Sequence, residues 1–295
     1  FVPMVGPIMA KKLAKLEIAT VGDQLLHLPF RYTDYSLISS ITNLQESEIV
    51  TVKGVVTNAT NVYRSKGLTL QKIMVKDSTG SIQATWFNQP FLIKTLVVGT
   101  QVYLSGKVSR FGHALNLESP EYELVKEEKP LLHTGRLVPV YPETAGASSK
   151  WFRNRINFLF NQNFIVEFLP SDVLDKYHLL RIEVALSKIH FPALLSEVGE
   201  AHRRLSFDEL FVLSLQSTLR RQEWQNRGVR TPLKIDKVKL ETFQTSLPFI
   251  LTQAQKRVTA EILSDFEKST PMNRLLEGEV GSGKTVVAAI AMYVA

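Results

Sequence analysis

The chain has 295 residues, 44% of them hydrophobic and 21% charged, a globular balance that excludes gross disorder. No run approaches the ~18 consecutive apolar residues of a membrane span, and the lack of cysteine excludes disulfides, thiolate metal sites and cysteine catalysis. A net charge of +7 suits an anionic partner without naming one.

The length leaves room for roughly two domains. Phe1 is neither an initiator Met nor a small residue uncovered by Met removal, and the sequence stops at Ala295 inside a helical run. The expectation is a piece of a larger protein from a reducing compartment.

Residues 4–28 read as two short helices, with Val5, Ile8, Met9, Leu13 and Leu16 at helical spacing and a second face from Val21, Leu25 and Leu26. The VGPIMAKKL stretch resembles half of a helix-hairpin-helix; the favoured reading is a plain helix start with Pro7 in its first turn.

From Glu48 to Leu124 the period falls to two. Five runs rich in Val, Ile, Thr and aromatics (47–63, 68–77, 80–88, 100–111 and 114–124) read as strands. Asp77 to Gly80 supplies a tight hairpin, and Pro90 to Val98 a short helical insert. Five strands with a helix between the third and fourth is the order of an OB-fold, a common oligonucleotide binder; another small antiparallel barrel stays open.

Pro139 and Pro142 then punctuate one short strand. Ser148 or Ser149 caps a helix carrying Trp151, Ile156, Leu159 and Phe160. A further helix over 203–224 is expected to bury Leu205, Leu210, Phe211, Leu213 and Leu215. Its Arg203, Arg204, Arg220 and Arg221 are either a solvated face or DNA contacts. A final unit opens at about Leu247 with an amphipathic helix over 252–268, a short buried strand over 273–280 and a buried helix after it.

Gly278-Glu279-Val280-Gly281-Ser282-Gly283-Lys284-Thr285 matches G-x-x-x-x-G-K-[ST] in full, between the expected strand and helix. Gly278, Gly281 and Gly283 are expected to take positive φ and let the backbone approach phosphates. Successive N–H groups and the helix dipole make the anion cradle. Lys284 would charge-pair the β and γ phosphates of ATP, and the Thr285 hydroxyl would ligate Mg²⁺. The acidic motif that hydrolysis also requires belongs to a later strand, so the 295-residue chain alone is expected to turn over ATP negligibly. Upstream, Phe249, Thr252 and Gln255 resemble the Q-motif of superfamily 2 helicases, in which glutamine reads adenine and an aromatic packs on the base. Gln255 is otherwise a surface residue of a helix that Thr252 caps.

HLPFRY, GSIQATWFNQPF, GRLVPVYP, IHFP, RRLSFDELF, LPFILTQAQ and GEVGSGKT follow one another in an order that resembles the RecG family of branch-migration helicases over essentially the whole chain. The resemblance implies a multidomain α+β architecture: a helical N-terminal segment (1–45), an OB-fold wedge (46–127), a connector strand and helices (128–245), and the opening of a RecA-like α/β phosphate-loop domain (246–295).

It also implies an ATP-dependent motor, monomeric and cytoplasmic at the nucleoid, acting on stalled forks and Holliday junctions and not on membranes. An aromatic pair four residues apart would stack on bases flanking the junction, here Phe87 and Phe91. Alternation puts Trp86 and Phe87 on opposite faces, and the expectation is Trp86 inside the barrel and Phe87 outside. Tyr63, Arg64 and Lys66 in the first hairpin, and Arg110 and Phe111 near the fourth strand, are further DNA-contact candidates. The competing expectation is a passive OB-fold binder of single strands with a nucleotide-binding domain attached.

Overall fold

The computed structural model describes every residue except 1, 4, 64–67, 113, 126–129, 163, 164 and 229–231, and all side chains of those it describes except that of residue 111. The chain divides into two compact units, residues 1–207 and 208–295.

The first unit opens with α1 (Pro7–Leu13), which starts on Pro7, where the missing N–H would have had no helical partner. Gly6 before it has φ −87°, so the turn does not use glycine's left-handed freedom. Helix α2 (Val21–Leu25) is held by a capping box between Thr20 and Asp23. Strand β1 (Arg31–Asp34) follows, in a stretch where the sequence suggests no element.

The barrel comprises β2 (Ile49–Tyr63), β3 (Thr69–Lys76), β4 (Ser81–Phe87), the short helix α3 (Leu92–Thr95), β5 (Gln101–Phe111) and β6 (Ala114–Glu118). Its strands run β2-β3-β4-β6-β5 and β5 returns to β2, closing the ring. The β4–β6 pair is parallel; the other neighbours are antiparallel. This order, with α3 between β4 and β5, is the OB-fold.

Strand β2 serves two partners. Residues 49–55 pair with β5, and a bulge between Val56 and Asn58 turns the remainder along β3. Gly54 sits at this crossing, where a Cβ would lie 2.5 Å from Val75 Cγ1 and 2.7 Å from the Lys76 carbonyl. Val52, Ile73, Val75, Trp86, Leu104 and Leu117 fill the interior, with Leu92 and Leu96 of the α3 segment packed against them. The Asp77 hairpin forms as expected, its carboxylate accepting from the N–H groups of Thr79 and Gly80.

The fifth expected strand splits. Ser119 adopts φ 45° and Pro120 has no N–H to continue the ladder, so β6 stops at Glu118. Strand β7 (Glu121–Leu124) turns back onto the first half of β5. Strand β8 (Leu137–Val140) then pairs with β1. Ser148 caps α4 (Ser149–Phe160), accepting from the Trp151 N–H.

Helices α5 (Ser171–Tyr177), α6 (Ile182–His190) and α7 (Leu195–Asn226) complete the connector. Ile182, Leu186, Ile189 and Leu205 form the core of α6 and α7, and Leu13, Leu25, Tyr141, Phe152, Ile156 and Leu159 a second core that joins α1 and α2 to α4. His190 is fully buried there, hydrogen-bonded to the Tyr141 hydroxyl at 2.9 Å and the Leu25 carbonyl at 2.8 Å.

Arg204 is buried, donating to both carboxylate oxygens of Glu167, which makes it a structural residue and not a DNA contact. Arg203 donates to the Tyr177 carbonyl. Leu205 is buried as expected, but Leu210, Leu213 and Leu215 are exposed. At ~100° per residue these leucines point in different directions, so no single packed face can cover them all.

In the second unit, α8 (Lys237–Ser246) and α9 (Gln253–Phe266) precede the loop, and α10 (Lys284–Val294) follows it. Ile262, Leu263, Val287 and Ile290 are buried, and the rings of Phe243 and Tyr293 lie 4.6 Å apart. The strand expected over 273–280 does not form, and Leu275 and Val280 are exposed. A strand exists through its ladder, and the unit has no other strand among the described residues to pair with it.

Candidate functional site

The loop from Gly278 to Gly283 leads directly into α10. Gly281 and Gly283 have φ of 83° and 82°, the left-handed region that favours glycine. Gly278 does not, contrary to expectation; its lack of a side chain serves space, because a Cβ would lie 2.6 Å from Ser282 Oγ. Lys284 Nζ folds back over the loop and donates to the carbonyls of Gly278 at 2.7 Å and Glu279 at 2.9 Å.

Lys284 and Thr285 occupy the first positions of α10, where helix geometry leaves N–H groups without a carbonyl one turn back. Charge, orphan donors and helix dipole converge on one spot, and the residues present fit a polyphosphate. The Thr285 side chain is exposed at this helix start.

Gln255 belongs to the cap of α9 and also touches the phosphate loop. Thr252 caps α9 and accepts from the Gln255 N–H, while Gln255 Oε1 accepts from the Thr252 N–H at 2.9 Å, a complete capping box. The same amide reaches the loop: Nε2 donates to the Ser282 carbonyl at 2.9 Å. A Cβ on Gly283 would lie 2.3 Å from that nitrogen, so the glycine makes room for the contact. One lone pair and one N–H of the Gln255 amide remain for a ligand. Phe249 is half exposed.

On the barrel, Trp86 points inward and is 2% exposed, its Nε1 donating to the Pro120 carbonyl at 2.9 Å. Phe87 is 41% exposed and Phe91, at the start of α3, 54%, so neither ring fills the core. Tyr63 is exposed at the end of β2. Arg110 pairs with Glu46 at 2.9 Å, which offsets its charge. Arg64 and Lys66 lie outside the described residues, as does the Phe111 side chain.

Phe87 lines a cleft of about 380 Å³ together with the polar Gln83, Thr85, Ser109 and Asn116 and the charged Lys72, Arg110 and Glu118. Sequence reasoning missed these polar residues, because the β4–β6 pairing that joins them is between distant segments. The period-two spacing of Gln83, Thr85 and Phe87 was the available signal.

The family model described as RecG wedge domain matches residues 1–160. The chain belongs to the RecG family. The ATP-dependent DNA helicase RecG of a Synechocystis strain is 36% identical over 97% of this chain. That of Thermotoga maritima is 35% identical over 98%. A solved structure of RecG bound to a three-way DNA junction is 34% identical, aligns over 99% of the chain and superposes with a TM-score of 0.70. The chain spans 36% and 37% of the length of the two RecG relatives and 40% of the solved chain. Among the described residues no helix is long and apolar enough to cross a membrane.

Proposed function

We propose that the intact protein is an ATP-dependent DNA motor of the RecG type that acts on branched DNA, stalled forks and Holliday junctions, with the barrel of residues 46–127 as its strand-splitting wedge. The observation that carries this reading is the alignment of nearly the whole chain with a RecG that is bound to a three-way junction. The outward rings of Phe87 and Phe91 support it, because stacking on an aromatic serves any base sequence and contributes ~1–3 kcal/mol per base.

The loop of Gly278, Glu279, Val280, Gly281, Ser282 and Gly283 would hold the phosphates of ATP, with Lys284 on the β and γ phosphates and Thr285 on Mg²⁺. When bound, the metal supplies charge neutralisation between those phosphates. Gln255 has the spare donor and acceptor to read adenine, and Phe249 the exposed ring to pack on it. Residues 246–295 are on this reading the start of a RecA-like domain, and the protein works as a monomer in the cytoplasm, at the nucleoid.

The test is binding of wild type and the Phe87→Ala/Phe91→Ala double variant to a fork and to a plain duplex of equal length. We expect the fork to lose about tenfold or more while duplex affinity is retained. Equal losses on both, or none on the fork, would refute a branch-point role for these rings.

A further inference from the structure

Stacking on Phe87 leaves the cleft that it lines unexplained. We infer that this cleft is a slot for one unpaired nucleobase, whose Watson–Crick edge is read by the amides of Gln83 and Asn116; the inference rests on the wedge reading above.

Gln83, Thr85 and Phe87 alternate along the outer face of β4, and the parallel register sets Gln83 opposite Asn116 of β6. The amides there are fixed by one another. Asn116 Oδ1 accepts from Thr85 Oγ1 at 3.0 Å and from Gln83 Nε2 at 3.5 Å, and Gln83 Nε2 also donates to Thr85 Oγ1 at 3.2 Å. Ser109 Oγ donates to the Asn116 carbonyl at 3.1 Å.

The network uses the acceptor of Asn116 and the donor of Gln83, and leaves the opposite atom of each. Among the described residues Asn116 Nδ2 and Gln83 Oε1 have no hydrogen-bond partner, and both residues line the cleft. Asn116 is only 6% exposed, yet its Nδ2 is not sealed from solvent, so a ligand in the cleft can take the place of water on that donor. The result is one spare donor and one spare acceptor on paired residues of β4 and β6, with Phe87 lining the same cleft.

That pattern names its ligand. Each of the four bases presents a donor beside an acceptor on its Watson–Crick edge, and the edge is available only when the base is unpaired. The slot therefore selects for the unpaired state and not for sequence. Its volume of about 380 Å³ lies near the lower end of small-molecule sites (~300–1,000 Å³), suited to a single base.

The experiment compares three probes: a three-way junction with one unpaired nucleotide at the branch, the same junction with an abasic residue there, and a plain duplex. Wild type is expected to bind the junction with the base about tenfold more tightly than the abasic one, the discrimination of one good paired contact. Gln83→Leu/Asn116→Leu is expected to abolish that difference while binding the abasic junction like wild type, which also reports that the barrel is intact. Gln83→Ala, at a half-buried position, should reduce the difference without disturbing the core.

If wild type binds both junctions equally yet prefers either to duplex, the slot is overturned and the wedge reading stands. If wild type shows no preference for junctions over duplex, both fall. A double variant that keeps the full difference assigns base recognition elsewhere and also overturns the slot.

Discussion

Gln255 Nε2 donates to the Ser282 carbonyl at 2.9 Å while its Oε1 accepts from Thr252, so one side chain fastens the start of α9 to the phosphate loop. The two jobs separate by substitution. Glu at this position still completes a capping box but has no proton for the Ser282 carbonyl. Gln255→Glu should therefore leave stability within ~0.5 kcal/mol and weaken nucleotide binding about tenfold. Gln255→Ala should lose the cap as well, at ~1 kcal/mol. Urea unfolding and titration with a fluorescent ATP analogue would measure both, and a glutamate variant binding as tightly as wild type would show the tie to be incidental.

Lys284→Ala removes a charged donor of two hydrogen bonds from the loop. Hydrogen bonds to charged groups contribute ~1.5–3 kcal/mol, so affinity for the analogue should fall by about 10- to 100-fold. The melting temperature should hold, because the side chain is not buried in the core. Undiminished binding in equilibrium dialysis would remove the lysine from the site.

Trp86 and Phe87 are neighbours with opposite duties. Trp86→Phe deprives the Pro120 carbonyl of its donor and shrinks a fully packed ring, an expected loss of ~1–3 kcal/mol in urea unfolding. Phe87→Ala, on the exposed face, should change stability by under ~0.5 kcal/mol. A reversed order would mean that the two faces of β4 were misassigned.

The Glu167–Arg204 pair closes the connector between α5, α6 and α7. Burial pushes the Glu167 carboxyl up, but bonds from Arg204 and the N–H groups of Leu169 and Ile182 outweigh it and hold the pKa at about 2. Arg204→Met strands that carboxylate, and ~3–5 kcal/mol of stability should go with it. Adding Glu167→Leu to the variant should recover part of the loss, as a double-mutant cycle would reveal; equal stability of wild type and the single variant would argue against a buried pair.

Acid should loosen the first unit before its carboxylates titrate. Burial lowers the His190 pKa from 6.5 to about 4, and its contact with the Leu25 carbonyl only partly opposes this. The unfolded chain then binds a proton that the folded one refuses. Stability is full above pH 6.5 and declines as pH falls through about 4. Urea midpoints measured across that window should slope downward, and His190→Asn should make the slope shallower, the remainder coming from His133, whose pKa burial and Arg153 lower to about 3; an unchanged slope would show that His190 does not contribute.

The sequence made the barrel legible because each strand carries its own two-residue alternation and its own turn, as at Asp77. It made the phosphate loop legible because glycine and lysine spacing is local. What escaped depends on distant partners. Strand β1 exists only through β8, more than a hundred residues on, and nothing in Arg31 to Asp34 announces it. The Asn116–Thr85 contact requires the parallel closure, which no local pattern encodes. Arg204 looked like surface charge because its partner Glu167 stands 37 residues away. The strand expected over 273–280 failed for the same reason in reverse, a short segment without a ladder to join.

Strand β4 carries Phe87 at its end and is bonded along both edges, antiparallel to β3 and parallel to β6, within a closed ring. Tension applied at that ring must shear two ladders together, and closure leaves no free rim from which the barrel can unzip one bond at a time. The fold is thus mechanically stiff at the strand that presents Phe87.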